Sequence, residues 1–255
     1  MSDEIKIKKS DVWKYATFLL IAIVIVGGIL VFTHKPSSSK GAANSGIQPQ
    51  QKADLGVFLN DAKLFPSLGP SNAKNVVVEF SDFQCIWCGL ASGLPSWANT
   101  NTTSKTAQQM ISQSGDMVGS IGKVENLAKQ GSLRFVYVPV SFFGAESTYA
   151  AEAGFCAANQ DKFWQMHDLI FKNAGSDPQE NTGKYSKKNL INLARSIQGL
   201  NIDTFSSCLN NDDTLNQVQT VLSDAQKFGI KGTPSVYVNG KSVSPTWSAI
   251  QSALK

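Results

Sequence analysis

The sequence predicts an α/β domain interrupted by a block of helices and preceded by one apolar span. Three observations carry that expectation. Asn75–Phe80 and Leu133–Val140 are apolar, β-branched runs with helix-like sequence between them. Residues 147–228 have helical spacing. An Asn239-Gly240 turn sits between two short strand-like runs close to the end of the chain.

Taken in order, the first element is the apolar span. Tyr15 to Thr33 holds 19 residues without a charge, against the roughly 20 needed to cross the hydrocarbon core. Trp13 and Tyr15 lie where an interfacial aromatic belt would sit. Lys6, Lys8, Lys9 and Lys14 precede the span, and the lysine excess on that side places the N-terminus inside and the main domain outside. A cleaved signal peptide is the rival. Its apolar region would be shorter, and the nearest small-residue site, Gly41-Ala42-Ala43, lies well beyond the apolar end. His34 to Ala53 is rich in Ser, Gly, Ala, Gln and Pro and reads as a flexible tether.

Asn75–Phe80 reads as a central buried strand. A helix follows from Cys85-Ile86-Trp87-Cys88 toward Gly93-Leu94-Pro95, where Gly and Pro punctuate. Thr106–Gln130 has helical spacing interrupted by glycines, and Leu133–Val140 is the second strand. Ala150, Ala153, Gly154 and Ala157 share one helix face at the start of the long helical block. Ser235–Val238 and Lys241–Val243 form a hairpin, and Thr246–Leu254 closes the chain as a helix. Strand, helix, strand in that order implies parallel pairing through a crossover. The division is therefore 1–14 N-terminal tail, 15–33 anchor, 34–54 linker, 55–146 first part of the α/β domain, 147–228 helical insertion and 229–255 second part.

Charge excludes one class of function. The chain carries a net +4, of which residues 1–35 contribute +2 from five lysines and three acids. The other 220 residues are close to neutral and lack a basic stripe, which argues against a nucleic-acid surface.

The chemistry centres on Cys85 and Cys88. A thiolate attacks and a thiol barely does. A cysteine at the first position of a helix faces unpaired backbone N–H groups and the positive end of the dipole, both of which favour the thiolate. Cys88, one turn deeper, is placed to resolve a mixed disulfide. Trp87 either presents an apolar rim to substrate or simply covers the site. Glu79, in the apolar strand, is expensive to bury unless protonated or used, and reads as a proton acceptor and donor for Cys88. The alternative is an edge-strand carboxylate reaching solvent. Asp82 and Gln84 are candidate caps for the helix. Metal binding lacks ligands: a closed zinc site needs four, and His167 is the lone histidine after residue 34. No cofactor is called for. Cys156 and Cys208 read either as buried thiols or, outside a membrane, as a disulfide stapling the helical block.

The stretch Val77-Val78-Glu79-Phe80-Ser81-Asp82-Phe83-Gln84-Cys85 with Cys88 carries a resemblance. So do Cys156-Ala157, Lys162-Phe163-Trp164, His167-Asp168, Gly229-Ile230-Lys231-Gly232-Thr233-Pro234-Ser235 and Val238-Asn239-Gly240. In this ordered set, over about residues 70–255, the chain resembles the DsbA-like thiol–disulfide oxidoreductases of the thioredoxin superfamily. The resemblance implies a thioredoxin fold with an inserted helical domain and a cis peptide at Thr233-Pro234. It also implies that the backbone of Thr233 meets an extended substrate, that Glu79 is the buried acid, and it supports a Cys156–Cys208 bridge. The expected activity is dithiol oxidation in unfolded or partly folded exported proteins, supported by a membrane redox partner. Reduction, isomerisation and a redox-inactive binding module are the alternatives. The departures are Ile86-Trp87 where the family often has a histidine, extra polar sequence near Asn99–Gln109, and the absence of the usual later glycine around Val243-Ser244-Pro245.

Overall fold

The computed structural model describes residues 53–99 and 101–255. The span Tyr15–Thr33 and almost all of the linker lie outside these residues. Among the described residues no helix is long and apolar enough to cross a membrane.

The sheet is organised around β2 (Val76–Ser81). It pairs in parallel with β3 (Arg134–Pro139), with Glu79 opposite Tyr137, and antiparallel with β4 (Ser235–Val238), with Phe80 opposite Ser235. β1 (Ser67–Leu68) and β5 (Lys241–Val243) complete the order β1-β3-β2-β4-β5. β2 and β3 are buried on both faces, which is why they read as continuous apolar runs rather than alternating ones. The hairpin turn falls at Asn239 and Gly240, both with positive φ.

Ten helices surround the sheet among the described residues. α1 (Gly56–Asn60), α2 (Ile86–Ser92), α3 (Lys105–Gln113) and α4 (Ser120–Lys129) belong to the first half. α5 (Ala145–Ala158), α6 (Phe163–Lys172), α7 (Lys187–Ala194), α8 (Ile202–Asn210) and α9 (Leu215–Lys227) stand between β3 and β4. α10 (Trp247–Ala253) ends the chain. One core packs Val77, Phe135, Tyr137 and Val236 against α2, α4, α6 and α10. The other packs Val78, Phe80, Val136 and Val138 against Phe58, Phe65 and the α9 residues Val218, Val221 and Ala225.

Several expectations need correction. The helical block is not helical throughout, because residues 173–186 form an irregular connection between α6 and α7. Asn181 and Gly183 there have positive φ, and Asp177 accepts the Gln179 N–H in a local turn that competes with a helix. The stretch Thr106–Gln130 is two helices, broken between Gly115 and Gly119, both left-handed. α5 buries more than one face: Ala150 and Ala153 join one core while Ala151 and Phe155 join the other. A helix packed on both sides loses the amphipathic pattern of a surface helix. Ala53, inside the expected linker, donates its N–H to the Gly240 carbonyl at 2.8 Å. α1 and β1 went unread because five and two residues hold too little periodicity.

Two glycines let α2 and α4 approach closely. Gly93 closes α2 in the left-handed region, and a Cβ on it would lie 2.8 Å from Gly119 Cα. A Cβ on Gly122, inside α4, would lie 2.6 Å from the Ser92 carbonyl oxygen. Helix propensity alone favours Ala over Gly by about 1 kcal/mol. Gly122→Ala is nevertheless expected to destabilise the protein by about 1–3 kcal/mol, because backbone must move. A urea midpoint equal to or above that of the parent would show that this contact yields freely.

Candidate active site

Asp82 builds the approach to the two cysteines. Its Oδ1 accepts the Gln84 N–H at 2.8 Å and the Ser147 hydroxyl at 2.7 Å, and its Oδ2 accepts the Phe142 N–H at 2.7 Å. The turn after β2 is thereby tied to the start of α5. Burial pushes the Asp82 carboxyl up to about 6, against the pull of these donors. Asp82 therefore does not cap α2; it fixes the turn that delivers Cys85.

Gln84 does not cap α2 either. Its Nε2 donates to the Phe143 carbonyl and to Ser147 Oγ, both at 3.0 Å, and its Oε1 accepts the Asn181 N–H at 2.8 Å. Glu146, buried at the start of α5, accepts the N–H groups of Gly183 and Tyr185. The 173–186 connection is thus clasped to the residue preceding Cys85. Farther back it is held by the Trp97 Nε1–H on the Ala174 carbonyl at 2.9 Å and by Ser104 Oγ on Ser176 Oγ at 2.8 Å. The extra sequence before α4 therefore buttresses this connection. A cleft of about 270 Å³ opens between Phe83–Ile86 and Ala174–Tyr185, with Cys85 in its wall.

Cys85 occupies the N-cap of α2, and the first helical residue is Ile86. Cys85 and Cys88 are both free thiols. Cys85 is 7% exposed and Cys88 1%, so the first sulfur is the one a substrate reaches. The Cys85 thiol donates to the Thr233 carbonyl at 3.3 Å, and the Thr233-Pro234 peptide is cis. The Cys85 pKa is lowered foremost by the Cys88 thiol, which donates to its thiolate. Burial opposes this; the Thr233 hydroxyl, buried without another partner, and the N–H groups at the start of α2 reinforce it. Cys88 is raised well above a normal thiol by burial first, then by Cys85 and by the charge of Glu79.

Glu79 lies on the central strand between β3 and β4 and is 2% exposed, which removes the edge-strand alternative. Burial pushes its carboxyl from an ordinary 4.5 up to about 8; the nearby Ser81 hydroxyl pulls the other way, and the charges of Glu125 and Cys85 reinforce the rise. Trp87 is half-buried, packed between the main core and the smaller cluster of Leu90, Trp97, Ala107 and Met110. Cys156 and Cys208 form a disulfide between α5 and α8, away from the Cys85 cleft. His167 is buried in an aromatic shell, its ring centroid 4.7 Å from that of Tyr137. Sequence reasoning brought Cys85, Cys88, Glu79 and Thr233 together but missed Ser81, Tyr137, Glu125 and Asn181. Of these only Glu125 left a signal, an acid on the same helical stripe as Ile121, Val124 and Ala128.

A family model described as thioredoxin matches residues 118–255, more than half of the chain. That match begins after the two cysteines. Over 240 residues the chain is 25% identical to the "Probable disulfide bond formation protein D" of Bacillus anthracis, covering 93% of this chain and 91% of that one. The crystal structure of oxidised BdbD from Bacillus subtilis superposes with a TM-score of 0.57 at 24% identity, over 76% of this chain and 92% of that one. A thioredoxin-like oxidoreductase from Silicibacter pomeroyi DSS-3 gives 0.56 at 22% identity, over 79% and 95%. At these identities the two structures speak for the fold.

Glu79 makes stability depend on pH with a definite sign. Its folded pKa lies above its unfolded one, so the folded state holds the extra proton between about pH 4.5 and about 8. Stability falls as pH rises through that window. Glu79→Gln removes the term. Its stability relative to wild type should climb from pH 4.5 upward, by roughly 3 kcal/mol at pH 7, and level off above pH 8. A difference in denaturant midpoint that stays flat across this window would contradict the assignment.

Proposed function

The chain belongs to the thioredoxin family, and from that premise we propose that it is a protein thiol–disulfide oxidoreductase that introduces disulfides through Cys85 and Cys88. One observation carries the reading: two adjacent thiols with opposed environments, Cys85 lowered and reachable, Cys88 raised and buried. A stabilised thiolate lowers the free energy of the reduced pair, which makes the corresponding disulfide a stronger oxidant. The relative named for disulfide bond formation, aligned over nearly the whole chain, supports the same direction.

In the proposed cycle a substrate thiolate attacks Cys85 Sγ of the oxidised pair. The Cys85–Cys88 bond breaks, Cys88 leaves with the electron pair, and Glu79 gives it a proton. A second substrate thiolate attacks the substrate sulfur of the mixed disulfide and releases Cys85 as the thiolate. The substrate dithiol is oxidised by two electrons and the enzyme pair is reduced. An extended segment lies against the loop bearing Thr233 and Pro234, the cleft takes a side chain flanking its cysteine, and Trp87 forms part of the rim.

The span Tyr15–Thr33 anchors the protein with the N-terminus inside and the catalytic domain outside, where disulfides persist. Substrates are then unfolded or partly folded exported proteins, and a membrane partner reoxidises the pair. Cys156–Cys208 acts as a structural staple between α5 and α8.

The decisive measurement is the redox equilibrium of the full chain in detergent against glutathione, with a Cys156→Ser/Cys208→Ser sample in parallel. A potential toward roughly −120 mV is expected for a dithiol oxidase. A value near roughly −270 mV would overturn the direction and identify a reductase. Absence of exchange at Cys85–Cys88 would sink the enzymatic reading.

A further inference from the structure

Residues alternate along β2, and Val77 faces the core formed with α2 and α4. Glu79 and Ser81 share that face, while Val78 and Phe80 face the opposite core. Tyr137 is the register partner of Glu79 on β3. The Ser81 hydroxyl, the Tyr137 hydroxyl and Glu125 Oε1 are all buried and lack a hydrogen-bond partner among the described residues. Orphaned buried polar atoms are uncommon and call for an explanation. Three of them here belong to the region between Cys88 and α4.

Glu125 joins this region to the surface. It lies on the stripe of α4 that buries Ile121, Val124 and Ala128, and is 4% exposed. Its second oxygen, Oε2, accepts from Lys129 Nζ at 3.1 Å, and the Lys129 side chain is 49% exposed. One carboxylate thus has an unpaired oxygen inside and a paired oxygen at the rim. Glu125 is also the foremost charge acting on Glu79.

We propose that Glu125 relays protons between solvent and Glu79 during turnover of the Cys85–Cys88 pair, with the Ser81 and Tyr137 hydroxyls beside the route. This rests on the oxidoreductase reading. When Cys88 leaves as a thiolate it takes the Glu79 proton, and the resulting buried carboxylate is restored by a proton passing through Glu125. On reoxidation the proton leaves by the same path. Glu125 acts through Glu79, as a positioning residue for its proton. The ionisable groups around Glu79 are Cys85 and Cys88 from α2, Glu125 from α4, Tyr137 from β3 with His167 of α6 against its ring, and Asp82 from the turn. From β4 the facing residue is the apolar Val236.

The test follows reduction of the oxidised full-length protein by a dithiol peptide between about pH 5 and about pH 9, using wild type, Glu125→Gln, Glu125→Asp and Lys129→Gln. The Glu79 carboxyl is titrated in parallel by carbon NMR. Glu125→Gln should slow reduction about ten-fold at neutral pH and move the Glu79 titration to lower pH. Glu125→Asp, which keeps the acid but shortens its reach, should fall between Gln and wild type. Lys129→Gln, which breaks only the exposed ion pair, should stay within about two-fold of wild type. Superposition of either Glu125 profile on wild type overturns the relay, as does an equal loss in Lys129→Gln. Those outcomes leave the oxidoreductase intact, whereas a wild type without exchange removes both readings together.

Discussion

Glu79 sits in the middle of the central strand, with β3 and β4 on either side and α2 and α4 over its face. A carboxylate in that position is costly, and the fold meets the cost by keeping it protonated, at about 8. The neighbours are set by the same condition. A positive partner would have held the group ionised; here the nearest charges come from another carboxylate and from Cys85, and both push in the same direction as burial. Cys88, raised by its own burial and by Glu79, shares this environment. Both groups are thus raised in the same direction, each favouring its protonated form at neutrality.

The second constraint is the placement of Cys85. Two carboxylates in the turn region hold it indirectly: Asp82 collects donors from Gln84, Phe142 and Ser147, and Glu146 collects donors from Gly183 and Tyr185. Gln84 and Asn181 close the circuit between them. The helical block therefore does more than cover the sheet. Its one long irregular connection forms a wall of the cleft beside the reactive sulfur, and the Cys156–Cys208 bridge joins α5, which bears Glu146 and Ser147, to α8.

Local chemistry was legible in the sequence, and long-range polar pairing was not. β2, β3 and the Asn239-Gly240 hairpin announce themselves because apolar runs are bounded by turn residues. The helix after Cys85 ends at Gly93 for the same kind of reason, a left-handed cap. Asp82 reads as a helix cap because capping is a local event, yet two of its partners lie about sixty residues away. The 173–186 connection reads as helix because its neighbours α6 and α7 are strongly periodic, whereas its Asn181, Gly183 and Tyr185 N–H groups bond to Gln84 and Glu146 instead of to a helical ladder. Glu125 and Lys129 stand at the i, i+4 spacing of an ordinary surface pair, and only the stripe that Glu125 shares with Ile121 and Val124 reveals that it points inward.

The reactivity of Cys85 belongs to two segments at once. Ile86 and Trp87 bring no charge and no imidazole, so the preference for thiolate rests on the Cys88 thiol and on Thr233, 148 residues farther on. Thr233 reaches Cys85 because β4 pairs with β2, Ser235 opposite Phe80. The contact is also asymmetric between redox steps. The Thr233 carbonyl accepts from the thiol and has nothing to accept from a thiolate, whereas the buried Thr233 hydroxyl carries a donor that a charged sulfur accepts far more strongly than a thiol does. Loss of the Cys85 proton thus leaves the Thr233 carbonyl without its donor and gives the Thr233 hydroxyl a charged acceptor, so one residue answers both protonation states of the sulfur.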